Sequence, residues 1–146
     1  MNLVMKFAGA AALFLLVQTA AFAKTFEVKM LNRGESGSMV FEPDYLELKP
    51  GDTVKFIATN KSHNAATIDG MVPDGNAGFK GKINEEIEVT FDQQGFYGIK
   101  CSPHYGMGMV MLIKVGEAEL PESYRAIKFP SRAAPRFEAL FERASK

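Results

Sequence analysis

The residue types with the richest chemistry are rare in this chain and fall close together. Its only cysteine, Cys101, is followed three positions later by His104 and eight positions later by Met109; the one other histidine, His63, stands early in a long irregular stretch. One thiol, two imidazoles and a thioether admit three uses. Cys101 could be a small buried hydrophobe beside two surface histidines. The segment from Cys101 to Met109 holds Pro103, Gly106 and Gly108, however, so it reads as a loop rather than a strand interior. Cys101 could instead be a nucleophile, with His63 or His104 as base and Asn64 to orient it. A short chain with no evident substrate groove suits that poorly, and an exported thiol enzyme would be readily oxidised. The third use is a metal site. Structural zinc more often takes several cysteines, and catalytic zinc keeps a position open for water. A thiolate, two imidazoles and a thioether form a closed, soft set that suits copper cycling between Cu(I) and Cu(II). Such a site can pass one electron and has no place for a reacting water.

Composition narrows the field from another side. A length of 146 residues allows one ordinary domain. Seventeen basic side chains balance 17 acidic ones, which argues against a protein that coats nucleic acid through a broad basic field. A single cysteine rules out an internal disulfide framework and leaves a thiol to be accounted for.

The first residues read as an export signal. Lys6 precedes an apolar run from Phe7 to Val17, and Ala21-Phe22-Ala23 offers small residues around a cleavage point before Lys24. The run is too short to cross a bilayer, which takes about 20 apolar residues. The expected organisation is therefore a cleaved signal peptide, 1–23, and one domain, 24–146, exported and not membrane-bound.

The elements that must position the site are mostly strands. Phe26, Val28 and Met30 alternate with polar residues, as do Val54, Phe56 and Ala58, and Ile87, Val89 and Phe91. Val40-Phe41 and Tyr45 to Leu48 add two short pieces, Phe96 to Lys100 leads into Cys101, and Val110 to Val115 is a compact apolar strand with Lys114 near its end. Gly34 to Ser38 and Lys49-Pro50-Gly51-Asp52 read as turns, and residues 60–81 as a long irregular connection. After Gly116 the pattern changes: Pro121 to Phe129 and Pro135 to Ala144 predict two helices, the second with Phe137, Leu140 and Phe141 on one face. The expected fold is an all-β antiparallel sandwich with two C-terminal helices.

The order His…Cys-x-x-His-x-x-x-x-Met, carried on Phe96 to Met109, resembles that of the type 1 blue copper proteins, the cupredoxins. Plastocyanins share this spacing but end with the last strand. The C-terminal helices, the Met-Val-Phe-Glu-Pro segment at Met39 to Pro43 and the Lys-Ser-His-Asn loop are similar to those of the pseudoazurin group. The resemblance implies a cupredoxin-like Greek-key β-sandwich, one copper ion held by His63, Cys101, His104 and Met109, and electron transfer rather than enzymatic catalysis. It implies that the backbone N–H of Asn64 points at the cysteine sulfur while its side chain ties the ligand loops, with Pro103 beside the ligands. It makes His104 the electron exit, with Met39 near its ring; the loop residues Pro103, Gly106, Met107, Met39 and Met71 could form an apolar patch around the exposed edge of that histidine. By residue type alone, Lys61, Lys80, Lys82 and Lys100 flank the ligand loops, with Arg33 near them, and make either an ordinary solvated face or a docking ring that steers an acidic partner; Glu85, Glu86 and Glu88 belong to a different strand and are expected on a distant surface. The implied setting is the periplasm, as a monomer in transient complex with a redox protein such as copper nitrite reductase. An amicyanin-like acceptor for an amine dehydrogenase and a copper storage or delivery protein are the alternatives.

Overall fold

The alternating segments become strands, and their apolar sides meet. The computed structural model describes residues 22–146, so the expected signal peptide, 1–23, lies outside the described residues but for its last two positions. Strands β1 (Thr25–Gly34), β2 (Gly37–Glu42), β4 (Asp52–Ile57) and β6 (Ile87–Phe91) form one sheet in the order β2-β1-β4-β6. Strands β3 (Tyr45–Leu48), β5 (Ala66–Thr67), β7 (Gly95–Lys100) and β8 (Val110–Val115) form a second in the order β3-β8-β7-β5. Val28, Met30, Phe41, Val54, Phe56 and Phe91 from the first sheet pack against Leu48, Tyr97, Ile99, Met111, Ile113 and Val115 from the second. Cys101 and Met109 belong to this same buried cluster, so the candidate ligands sit at one end of the core.

The sandwich stands, but two of its pairings are parallel rather than antiparallel: β1 with β4, and β3 with β8. Period-two alternation tells which side chains face inward; it says nothing of which strand lies alongside or in which direction. The expected loop at Gly34 to Ser38 is shorter than predicted, since β1 and β2 stay paired up to Gly34 and Gly37.

The second sheet is covered on both faces. Phe96, Val110 and Leu112 on its outer side pack against Tyr124, Ala133, Phe137, Leu140 and Phe141, which explains why β8 is apolar at every position from Val110 to Ile113 rather than alternating. The covering helices are α1 (Glu122–Arg125) and α2 (Ala133–Ala144). Helix α1 is a single turn, well short of Phe129. Tyr124 is anchored by its hydroxyl to the Phe96 carbonyl at 2.7 Å, and Phe129 precedes Pro130, a position that disfavours helix. Helix α2 begins two residues before Pro135, whose missing N–H falls in the first turn, where no intrahelical partner is needed. Phe137, Leu140 and Phe141 are buried, each contributing roughly 1.5–3 kcal/mol relative to exposure. Phe129 stacks on Phe137 with ring centroids 4.4 Å apart.

Candidate metal centre

Strand β7 delivers Cys101 to the edge of the core, and a 3₁₀ turn over Ser102–Met107 folds the chain back on itself. Pro103 starts that turn, where its absent N–H costs nothing. Backbone hydrogen bonds close the loop: His104 N–H donates to the Cys101 carbonyl (3.1 Å), Met109 N–H to the His104 carbonyl (3.1 Å) and Cys101 N–H to the Met109 carbonyl (3.0 Å). The spacing of three and then five residues thus brings Cys101, His104 and Met109 to one place before β8 begins beside Lys100.

His63 arrives from the connection after β4. Its Nδ1 lies 3.6 Å from Cys101 Sγ and 3.1 Å from His104 Nδ1, and Cys101 Sγ lies 3.5 Å from His104 Nδ1. These are three donor atoms of a possible metal site. The centre of such a triangle is about 2 Å from each corner, close to the length of metal–imidazole bonds and a little short of metal–thiolate ones. His63, Cys101 and Met109 are fully buried, while His104 is half-buried and is the one member of the set that reaches the surface. A set of thiolate, two imidazoles and a neighbouring buried thioether fits copper.

Surrounding groups fix the donors. Asn32 Oδ1 lies 2.8 Å from His63 Nε2. An amide oxygen can only accept, so Nε2 carries the proton and Nδ1 presents its lone pair to the centre. Burial and the charge of His104 both hold the His63 pKa below its usual value, which keeps the ring neutral, the form a metal binds. Burial pushes the Cys101 thiol up, while the backbone amides of Asn64 and His104 pull it back toward the thiolate. The side chain of Asn64 donates to the Gly81 carbonyl (3.0 Å) and to Ser102 Oγ (3.2 Å), and accepts from Ser102 N–H (2.6 Å). One buried amide thereby joins the His63 segment, the Gly81 segment and the Cys101 loop.

The residues expected around the site fall in several places. Pro103, Gly106 and Met107 are exposed, Met107 at 39%, on the same turn as His104. Met39 is half-buried against the cluster that holds Cys101 and Met109. Met71 does not belong to that surface: it is fully buried behind Gly98, where its side chain fills the space a Cβ would occupy. Lys61, Lys80 and Lys82 are exposed, as is Arg33; Lys100 is half-buried with its ammonium 5.1 Å from the centre of the Tyr105 ring. Glu85 is not remote from the basic residues. Its carboxylate accepts from the Lys82 amide at 2.6 Å, in the turn that also bonds Asn84 N–H to the His63 carbonyl. Sequence reading passed over Asn32, whose only signal is a polar residue ending the alternation of β1, and Arg136, which looks like any charged residue on a surface helix.

Comparison with known proteins agrees with this geometry. The copper binding proteins of the plastocyanin/azurin family match residues 28–116. A pseudoazurin of Paracoccus pantotrophus is 47% identical over 133 residues, covering 90% of this chain and 92% of the relative. The crystal structure of pseudoazurin from Methylobacterium extorquens AM1 superposes with a TM-score of 0.76 at 43% identity, covering 82% of this chain and 98% of that one. Native pseudoazurin from Hyphomicrobium denitrificans gives 0.74 at 36% identity, with 82% and 97% covered.

Proposed function

The chain belongs to the pseudoazurins, within the plastocyanin/azurin family of copper-binding proteins, and we propose that His63, Cys101, His104 and Met109 hold its single copper. It is a type 1 copper electron-transfer protein and not an enzyme. When bound, copper supplies a one-electron couple between Cu(I) and Cu(II). The observation that carries the ligand assignment is the triangle of Cys101 Sγ, His63 Nδ1 and His104 Nδ1, with sides of 3.1 to 3.6 Å, next to the buried Met109.

The chain's own residues do the rest. Asn32 holds the His63 ring in one tautomer, and Asn64 braces the two ligand segments against each other. A donor set fixed by the fold alters little between oxidation states, which keeps electron transfer fast. His104, the half-buried ligand, is the route by which the electron leaves. Pro103, Gly106 and Met107 give its surroundings a small, soft surface that a partner can approach closely.

Lys61, Lys80, Lys82 and Lys100 make that end of the protein a docking face for an acidic redox protein, met transiently by the chain as a monomer. Resemblance to the pseudoazurins points to copper nitrite reductase as the acceptor and to the periplasm, reached through the signal peptide 1–23, as the setting. Support for the docking face is the position of these lysines on the segments that carry or brace His63 and Cys101. The test is the rate of electron transfer from the reduced protein to copper nitrite reductase as salt is raised. The rate should fall steeply with salt, and Lys100→Glu should both slow it at low salt and flatten that dependence. Equal rates for the two proteins at every salt concentration would remove the docking face from the account.

A further inference from the structure

We propose that Arg136, on helix α2, is a positioning residue for the copper site: its guanidinium clamps the peptide that precedes Met109 to the start of β2. The inference rests on the reading of Met109 as a ligand. Nη1 of Arg136 donates to the Gly108 carbonyl at 2.7 Å and to the Met39 carbonyl at 2.8 Å, and Nη2 donates to the Ser38 carbonyl at 2.8 Å. One side chain thus joins two segments, one 28 residues away at Gly108 and the other 97 and 98 residues away at the adjacent Met39 and Ser38.

Two of the three carbonyls belong to residues with unusual backbone. Gly108 has φ of +88° and Met39 has φ of +53°. A Cβ at Gly108 would stand 2.6 Å from the Arg132 carbonyl oxygen, so the backbone leading into α2 and the ligand loop are in close approach here. For Met39, a left-handed conformation is disfavoured and persists only where its surroundings impose it. The guanidinium donates to the carbonyls of both, while the Gly108 N–H is held separately by the Tyr105 carbonyl, and among the described residues the guanidinium forms no ion pair with a carboxylate. Its donors are spent on main-chain oxygens beside the site.

The consequence is a division of labour in the C-terminal region. Phe137, Leu140 and Phe141 of α2 pack against the second sheet, while Arg136 reaches past them to the ligand loop. The helix then acts on the metal through geometry, by fixing the peptide on which the Met109 thioether hangs. Lysine keeps the charge at this place but concentrates it on one atom, without the planar fork that reaches three carbonyls.

Arg136→Lys and Arg136→Gln separate the clamp from the charge. In the metal-free protein, the amides of Gly108 and Met109 should exchange with solvent about tenfold faster in both variants, the effect of losing one charge-assisted hydrogen bond. The amides of Val54 and Phe91, in the opposite sheet, should keep their native rates. With copper bound, both variants should show an altered balance of the visible charge-transfer bands and a shifted reduction potential. A native exchange pattern and spectrum in Arg136→Lys would overturn the clamp in favour of charge alone. Faster exchange spread evenly over the molecule would overturn it in favour of general helix packing. Should Arg136→Gln fail to fold, Arg136→Lys alone carries the comparison. Failure of the ligand reading is a different result: Met109→Leu would leave the native spectrum unchanged, whereas the local exchange comparison needs no metal.

Discussion

Oδ1 of Asn32, near the end of β1, stands 2.8 Å from Nε2 of His63, a residue 31 positions later and on a different segment. The contact decides which nitrogen of the ring is free. With Nε2 donating outward, Nδ1 has a lone pair directed at Cys101 Sγ and His104 Nδ1.

Asn32→Leu removes that acceptor and lets the ring adopt either tautomer. Copper affinity, measured by competition with a chelator, should fall by about 10- to 100-fold, the usual effect of losing the partner that orients a ligating histidine. An affinity equal to that of the native protein would show that burial alone orients His63.

Asn64→Ala should act on both stability and the site. The substitution strips partners from the Gly81 carbonyl and the Ser102 N–H, and a buried polar group left unpaired costs about 1–3 kcal/mol. Denaturant unfolding of the metal-free protein should show a loss of that size, and the reduction potential of the copper form should move. Unchanged values in both measurements would place Asn64 outside the site.

Asp52 gives the fold a defined sensitivity to acid at the end far in sequence from the ligand loop. Burial pushes its carboxyl up, but the backbone amides of Lys24 and Lys49, at 2.8 Å each, and the charges of those residues outweigh it, so the pKa lies below the ordinary aspartate value. A depressed carboxylate pKa adds stability that is complete above the unfolded-state value of about 3.9 and is lost as pH falls through the folded-state value. Asp52→Asn should therefore be less stable than the native protein at neutral pH, and the difference should shrink once pH drops well below about 3.9. A difference that stays constant across that range would assign the effect to packing.

What the sequence made legible follows from how few residues could do the chemistry. With one cysteine and two histidines, the spacing of Cys101, His104 and Met109 pointed to a single loop, and the 3₁₀ turn with its return hydrogen bonds realises it. The apolar run of Val110 to Ile113 likewise carried the signature of a strand covered on both faces. The rest depended on long-range contacts. Asn32 and Arg136 have side chains that serve equally well in solvent, and only the folded neighbours reveal what they hold. Met71 could fill core or surface because methionine suits both; its place behind Gly98 is decided by the missing Cβ there. The parallel pairings of β1 with β4 and β3 with β8 arise from how the chain passes between sheets, which alternation does not record.

If Cys101, with His63, His104 and Met109, holds one copper in a closed thiolate–imidazole–thioether site, the visible absorption spectrum of the purified protein loaded with Cu(II) reads that thiolate bond out. An intense blue to green charge-transfer band is expected, one that vanishes on reduction and is absent in Cys101→Ser. A loaded protein that stays colourless, or one whose band survives the loss of Cys101, would contradict it.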